Sequence, residues 1–400
     1  MRQFLLQAGF GLALLPTLSA PAWALDAQAV ADRLSEVLDQ QDIDFEFDTA
    51  SADGDDIVLK DVTVGFDDDA STTYEQIVLE DVSEADDRYM IGRLEVPAKT
   101  IESEDEIKTS LTPAVFGDMS FGVKEDAETI GLQVGSVQMD SIVVSVPQGD
   151  FLTVENIDGS DLAFREDRVI EPRFSVERIS FNTQLAPEDE EDREKGEAMR
   201  KQLADLGYSQ IEASFDVTGT YDPSSGEMDF NETIVVEDAL TLDVDGAFSN
   251  VTADLATKIQ AVTKDMQKTD DDEQQMKFLQ EKLLPLYEKI GVESATIRLE
   301  DNSLTDKVIG VMAERQNAQP EQLKLQAAML APALLASYVP AEFARQVSEA
   351  LQTYLADPQS LTIELSPEDG TTVGQIIERA KSEPNTLTNL LGASVTANQD

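Results

Sequence analysis

Ile211-Glu212-Ala213-Ser214-Phe215-Asp216-Val217-Thr218-Gly219-Thr220-Tyr221 alternates apolar or small residues with polar ones along its whole length. Asp222-Pro223-Ser224-Ser225-Gly226 follows with turn chemistry, and Met228, Phe230, Ile234 and Val236 then resume the period of two. Leu240, Leu242, Val244, Gly246 and Phe248 make a third strand. Three such strands joined by short turns form an antiparallel meander. Its apolar face has to be covered by something.

Working outward, Asp26–Gln40 carries Val30, Leu34, Val37 and Leu38 on one face of a short helix. From Ile43 to about Thr183 the chain is a succession of short strands, among them Ile57–Phe66, Gln76–Val82, Tyr89–Val96, Ile130–Val146 and Phe174–Phe181. Ile57-Val58-Leu59-Lys60-Asp61-Val62 is echoed by Ile77-Val78-Leu79-Glu80-Asp81-Val82, which reads as two similar strand–turn units. Pro187–Leu206 is charged and helical in pattern and interrupts the run of strands, its acidic opening suited to a helix N-terminus. Downstream, the period is helical from Val251 to near Ile290, with a weak point at Asp270-Asp271-Asp272 and a kink at Pro285. A strand returns at Ala295–Glu300, and Ser303 with Asp306 suggests a capping box for a helix ending near Arg315. A second helix begins at Pro320, and Phe343, Val347, Leu351 and Leu355 mark a third. Leu361–Leu365 reads as a strand and Thr372–Lys381 as a helix.

These elements predict an α+β fold: a long curved, largely antiparallel β-sheet covered on its apolar face by C-terminal helices. Residues 25–250 form a β-rich region with a helical insertion near 187–206, and residues 251–400 a helical region with two strands returning to the sheet. Residues 1–24 read as a signal peptide. Arg2 precedes an apolar segment Phe4–Leu15 and a small-residue site Ala22-Trp23-Ala24, so cleavage after Ala24 and a periplasmic location are expected. An apolar segment this short does not reach the roughly 20 residues that a membrane span needs, and no transmembrane segment is expected after cleavage.

The chain holds 29 Lys+Arg against 80 Asp+Glu, a net charge of −51. Such a field repels phosphate backbones and anionic headgroups, which argues against nucleic acid and against polybasic membrane docking. With 41% hydrophobic residues in clear periods, the acidity belongs to a folded protein. Cysteine and histidine are both absent. That removes disulfides, Ser-His-Asp triads, Cys-His dyads and Cys/His zinc sites together. Ser35, Ser110 and Ser366 sit among acids, a poor setting for a Ser-Lys dyad.

The segment Ile297-Arg298-Leu299-Glu300-Asp301-Asn302-Ser303-Leu304, the paired helices after it, and Asp357-Pro358-Gln359-Ser360-Leu361-Thr362-Ile363 resemble a pattern of secreted alphaproteobacterial proteins similar to the YdgA-like envelope family. Phe215–Phe248 likewise resembles the β-ladders of AsmA-like envelope proteins. That resemblance implies an elongated curved sheet with an apolar groove, an envelope role and lipid handling, and it carries no catalytic residue across. AsmA-like proteins are usually membrane-anchored, whereas this chain reads as released by cleavage.

The expected function is therefore a non-enzymatic periplasmic protein that binds an apolar ligand such as lipid, or an envelope partner protein. Phe215, Val217, Phe230, Leu242 and Phe248 are the expected groove residues. Leu330, Leu334 and Tyr338 on the apolar helix Leu323–Val339 would form a lid over them; the plainer reading buries that helix against the sheet. Two other classes stay open: a structural or interaction protein with a filled core, and a carboxylate-dependent hydrolase. No catalytic residue, cofactor or metal is nominated. The acid-rich loops Asp53–Asp56, Asp67–Asp69 and Asp270–Asp272 read as solvated loops, and Asp243-Val244-Asp245-Gly246 as strand.

Overall fold

The computed structural model describes residues 25–399 except 42, 66–70, 103–105, 125–130, 166–167, 186–192, 268–271 and 336–338. The proposed leader, Asp67–Asp69, Asp270, Asp271 and Tyr338 lie outside the described residues.

The fold is α+β, with one open sheet of 17 strands. After α1 (Ala27–Asp39) come β1 (Asp44–Glu46), β2 (Thr49–Asp53), β3 (Asp56–Gly65), β4 (Ser71–Ala85) and β5 (Arg88–Val96). The chain continues through β6 (Lys99–Glu102), β7 (Lys108–Leu111), β8 (Ala114–Gly122), β9 (Ser136–Val146), β10 (Gly149–Ser160) and β11 (Arg173–Asn182). Helix α2 (Arg193–Asp205) precedes the meander of β12 (Gln210–Asp222), β13 (Glu227–Val236) and β14 (Leu240–Ser249). Helices α3 (Ala253–Gln267), α4 (Asp272–Phe278) and α5 (Leu284–Tyr287) lead to β15 (Gly291–Asp301). Then follow α6 (Leu304–Gln316), α7 (Pro320–Leu335), α8 (Ala341–Ala356), β16 (Ser360–Leu365), α9 (Val373–Ser382), α10 (Leu387–Leu390) and β17 (Ser394–Ala397).

Every ladder is antiparallel. β1 and β2 share one side of β3, which pairs with β4, and β4 with β5. β5 pairs with β8 and β8 with β9, while the β6–β7 hairpin lies along the same edge of β9 as β8. From β9 each strand pairs with the next in sequence through to β17. Helix α2 therefore interrupts the chain but not the ladder, because β11 and β12 are direct neighbours. Three strands, not two, return after residue 250; β17, with only four residues, is too short to show a period.

The echo at 57–62 and 77–82 is not a pair of strand–turn units. Lys60-Asp61-Val62 and Glu80-Asp81-Val82 lie inside β3 and β4, where Asp61 and Asp81 take φ of 51° and 54°. Asp118 in β8 and Asn156 in β10 do the same, at 50° and 53°. In each case the left-handed residue stretches the apolar step to three, as Leu59 to Val62, Leu79 to Val82, Phe116 to Met119 and Val154 to Ile157, so that both side chains stay on one face. Asp and Asn tolerate this conformation better than other side chains. Opposite Asp81, an added Cβ on Gly92 would lie 2.9 Å from the Asp81 Cβ, which explains the glycine. Irregularities of this kind bend and twist a sheet.

Two cores anchor the ends. Asp26 caps α1 by accepting from the backbone N–H groups of Gln28 and Ala29 at 3.1 and 3.4 Å. Val30, Leu34 and Val37 of that helix pack with Leu59, Ile77, Leu79, Ile91 and Phe121, all fully buried. At the far end Ala350 and Tyr354 of α8 pack with Val395 and Ala397, flanked by Leu299 and Leu361. α8 thus covers the last strands of the face that α1 covers at the first.

The capping box expected at Ser303 does not form. The Ser303 hydroxyl donates to the Asp238 carbonyl at 2.5 Å, and Asp301 receives the Thr305 N–H at 2.9 Å in its place. A capping box does occur at α9, between Thr372 and Gln375. Before Pro285, whose ring nitrogen donates no hydrogen bond, the helix widens into a π turn at Leu279–Leu283.

Tyr354 donates to Asp301 at 2.8 Å and lies 2.6 Å from the Thr305 hydroxyl. Burial first, and then the Asp301 carboxylate, push its phenol from 10.0 up to about 12. A raised folded-state value means that this contribution is complete below pH 10 and is lost as pH climbs towards 12. Tyr354→Phe is expected to flatten that alkaline loss in denaturant melts at stepped pH. An unchanged slope would place the alkaline titration in other residues.

Candidate functional site

The strand registers align one row of side chains across nearly the whole sheet. It runs through Ile57, Leu79, Leu94, Phe116, Val137 and Gly159, each directly opposite the next. It continues through Phe174, Val217, Glu232, Val244, Ile297, Ile363 and Val395. Directly paired residues project to the same side of a sheet, so the row is a single apolar strip. Glu232 alone in it is charged.

Burial along the strip changes with position. Leu79 and Leu94, at 0% and 5% exposed, lie in the core that includes α1, and Val395, at 7%, is covered by α8. Between them Val137, Phe174, Val217, Glu232 and Val244 are half-buried, and Ile297 is 43% exposed. The strip is thus sealed at both ends and partly exposed over its middle strands, although beside it on the same face Val176 and Tyr221 are only 8% and 6% exposed.

Of the expected groove residues, Phe215 and Leu242 fall in one adjacent row, joined through Ile234, and Val217 in the strip itself. Phe230 and Phe248 stack with centroids 6.0 Å apart, and Phe174 meets Phe215 edge-on at 6.2 Å. All five are half-buried. Helix α7 packs its Leu323 with Ile309 and Ala313 of α6, leaving Met329 and Leu330 68% and 51% exposed. Those two side chains are therefore turned to solvent rather than against the sheet. The side chain of Leu334 lies outside the described residues.

The opposite face is polar and laced across strands. Thr233 donates to Asp243 at 2.7 Å, Asn231 to Asp245 at 2.8 Å and Arg178 to Glu155 at 2.6 Å. This is where the strand acids gather, and Asp243 and Asp245 belong here as strand residues of β14. A polar cleft of about 460 Å³ on this side is lined by Arg173, Thr218, Asp229 and Asp245 among others. A second, about 570 Å³, lies around Glu368, Glu378 and Arg379. Neither is an apolar pocket; the apolar feature is an open strip. Asp53–Asp56 forms the β2–β3 hairpin turn, with the Asp56 carboxylate receiving the Asp81 N–H at 3.0 Å. Among the described residues no group of three or more acids is placed to hold a metal ion, and no helix is long and apolar enough to cross a membrane.

A family model whose description reads "Uncharacterized protein" matches residues 233–398, from within β13 to the end of β17. No curated protein matches the chain.

Proposed function

We propose that the open middle of the apolar strip binds the hydrocarbon chains of a lipid or similar amphiphile, in a non-catalytic protein exported to the periplasm. The observation that carries this reading is the row from Phe174 to Ile297: one face, continuous in register and apolar except at Glu232, that among the described residues belongs to neither of the helix-backed cores at its two ends. Contiguous apolar surface of this extent marks a binding surface more often than bare protein exterior. From β11 to β15 the row spans on the order of 20 Å at about 4.8 Å per strand. One leaflet's acyl chain reaches about 15 Å, half the hydrocarbon thickness of a bilayer, so a chain laid across the strands fits. The AsmA-like character of Phe215–Phe248 and the leader-like first 24 residues agree with an envelope setting, in which an envelope protein is a further candidate partner.

Native mass spectrometry of the purified protein is expected to show retained lipid, and a neutral pyrene-labelled long-chain alcohol is expected to bind. Phe215→Glu combined with Leu242→Glu places two charges in one row of the open face, and should weaken probe binding at least tenfold while the distant α1 core stays folded. A wild-type protein that carries no lipid and ignores the probe would overturn the proposal in favour of a filled, structural sheet.

A further inference from the structure

We infer that Glu232 is the polar anchor of the strip and selects amphiphiles that carry a protonated amine. The inference rests on the chain-binding reading above. Glu232 stands in β13 directly between Val217 and Val244, with Phe230 and Ile234 two residues away along its own strand. It is half-buried, and among the described residues no hydrogen bond or ion pair reaches its carboxylate. Acids on the other face are placed differently: Asp243, Asp245 and Glu155 each receive a side-chain donor from a neighbouring strand.

An acyl chain lying over Val217 and Val244 takes from Glu232 much of the water it still holds. An unpaired carboxylate resists that loss, whereas an ammonium on the ligand replaces the water with a charge-assisted hydrogen bond. A carboxylate-headed chain of the same length meets like charge at the same point. One residue therefore both favours a cationic headgroup and disfavours an anionic one, while the apolar neighbours supply affinity for the chain.

The test is competition by a long-chain amine, alcohol and carboxylate of equal length against the pyrene-labelled alcohol, at neutral pH and physiological salt. There the Debye length of about 8 Å screens the field of the protein's net charge. The wild type is expected to prefer the amine to the alcohol by about tenfold or more and to bind the carboxylate most weakly. Glu232→Gln should bring the amine to within about twofold of the alcohol. Glu212→Gln, on the polar face, removes the same charge elsewhere and should keep the wild-type order. Alcohol binding with no amine preference, or a preference that survives Glu232→Gln, overturns the role of Glu232 and leaves chain binding standing. Failure of all three ligands to compete removes both.

Discussion

Phe121→Ala is expected to cost about 3–5 kcal/mol, and Phe215→Ala about 1–2 kcal/mol, although both remove the same atoms. Phe121 is 0% exposed in the core that includes α1 and meets Tyr89 edge-on at 5.7 Å. Truncation there forfeits the transfer energy and leaves a cavity enclosed on all sides. Phe215 is half-buried in the row beside the strip, so part of its ring faces solvent rather than packed neighbours, and water or ligand can occupy the vacated space. Urea melts of the two variants with bound lipid removed measure the difference directly. Equal costs would mean that the middle of the strip is packed as tightly as its ends, which removes the basis for a binding surface.

Gly392→Ala is expected to cost about 1–3 kcal/mol from steric conflict, on top of about 1 kcal/mol for a side chain in the left-handed region. Gly392 has φ of 55°, and an added Cβ would stand 2.1 Å from the Ser366 carbonyl oxygen. That carbonyl belongs to backbone just after β16, where the Ser366 N–H already donates to Leu391 at 2.9 Å. Relief requires the segment before β17 to move away from β16, and β17 carries Val395 and Ala397 into the α8 core. Gly370 provides the control: its φ is 81°, but nothing lies within 4 Å of an added Cβ, so Ala there should show the conformational cost alone. Thermal melts in which both variants lose the same midpoint would show that the Ser366 contact yields without cost.

The sequence was most informative where one rule acts at a time. The β12–β14 meander follows from an alternation broken in β13 only at Glu232, and α1 from Val30, Leu34 and Val37 at helical spacing. The N-terminal sheet was harder to read because residues such as Asp61 and Asp81 add a third step to a period of two. Leu59 and Val62 look out of phase until the left-handed residue between them is known. The strip itself depends on register between strands far apart in sequence, which no local window contains. Glu232 did leave a trace, since it fills the one apolar-phase position that β13 skips between Phe230 and Ile234. Helix α7 misleads for a different reason: Met329 and Leu330 suit a buried helix, yet packing on α6 and α8 uses its other side. Spacing marks Ser303 as a cap but says nothing of the Asp238 carbonyl that takes its hydroxyl.

Nearly every strand pairs with its neighbour in sequence, and this makes the sheet behave energetically like a zipper. Each strand is held by those beside it, and among the described residues the helix-backed cores of the sheet lie under its first and last strands. Opening free energy then varies along the ladder as in a repeat array, with two protected foldons joined by a softer stretch. The stretch expected to be softer is β11–β14. Amide exchange there is expected to outpace that of the strands under α1 and α8, and equal protection along the ladder would show that the sheet opens as one unit.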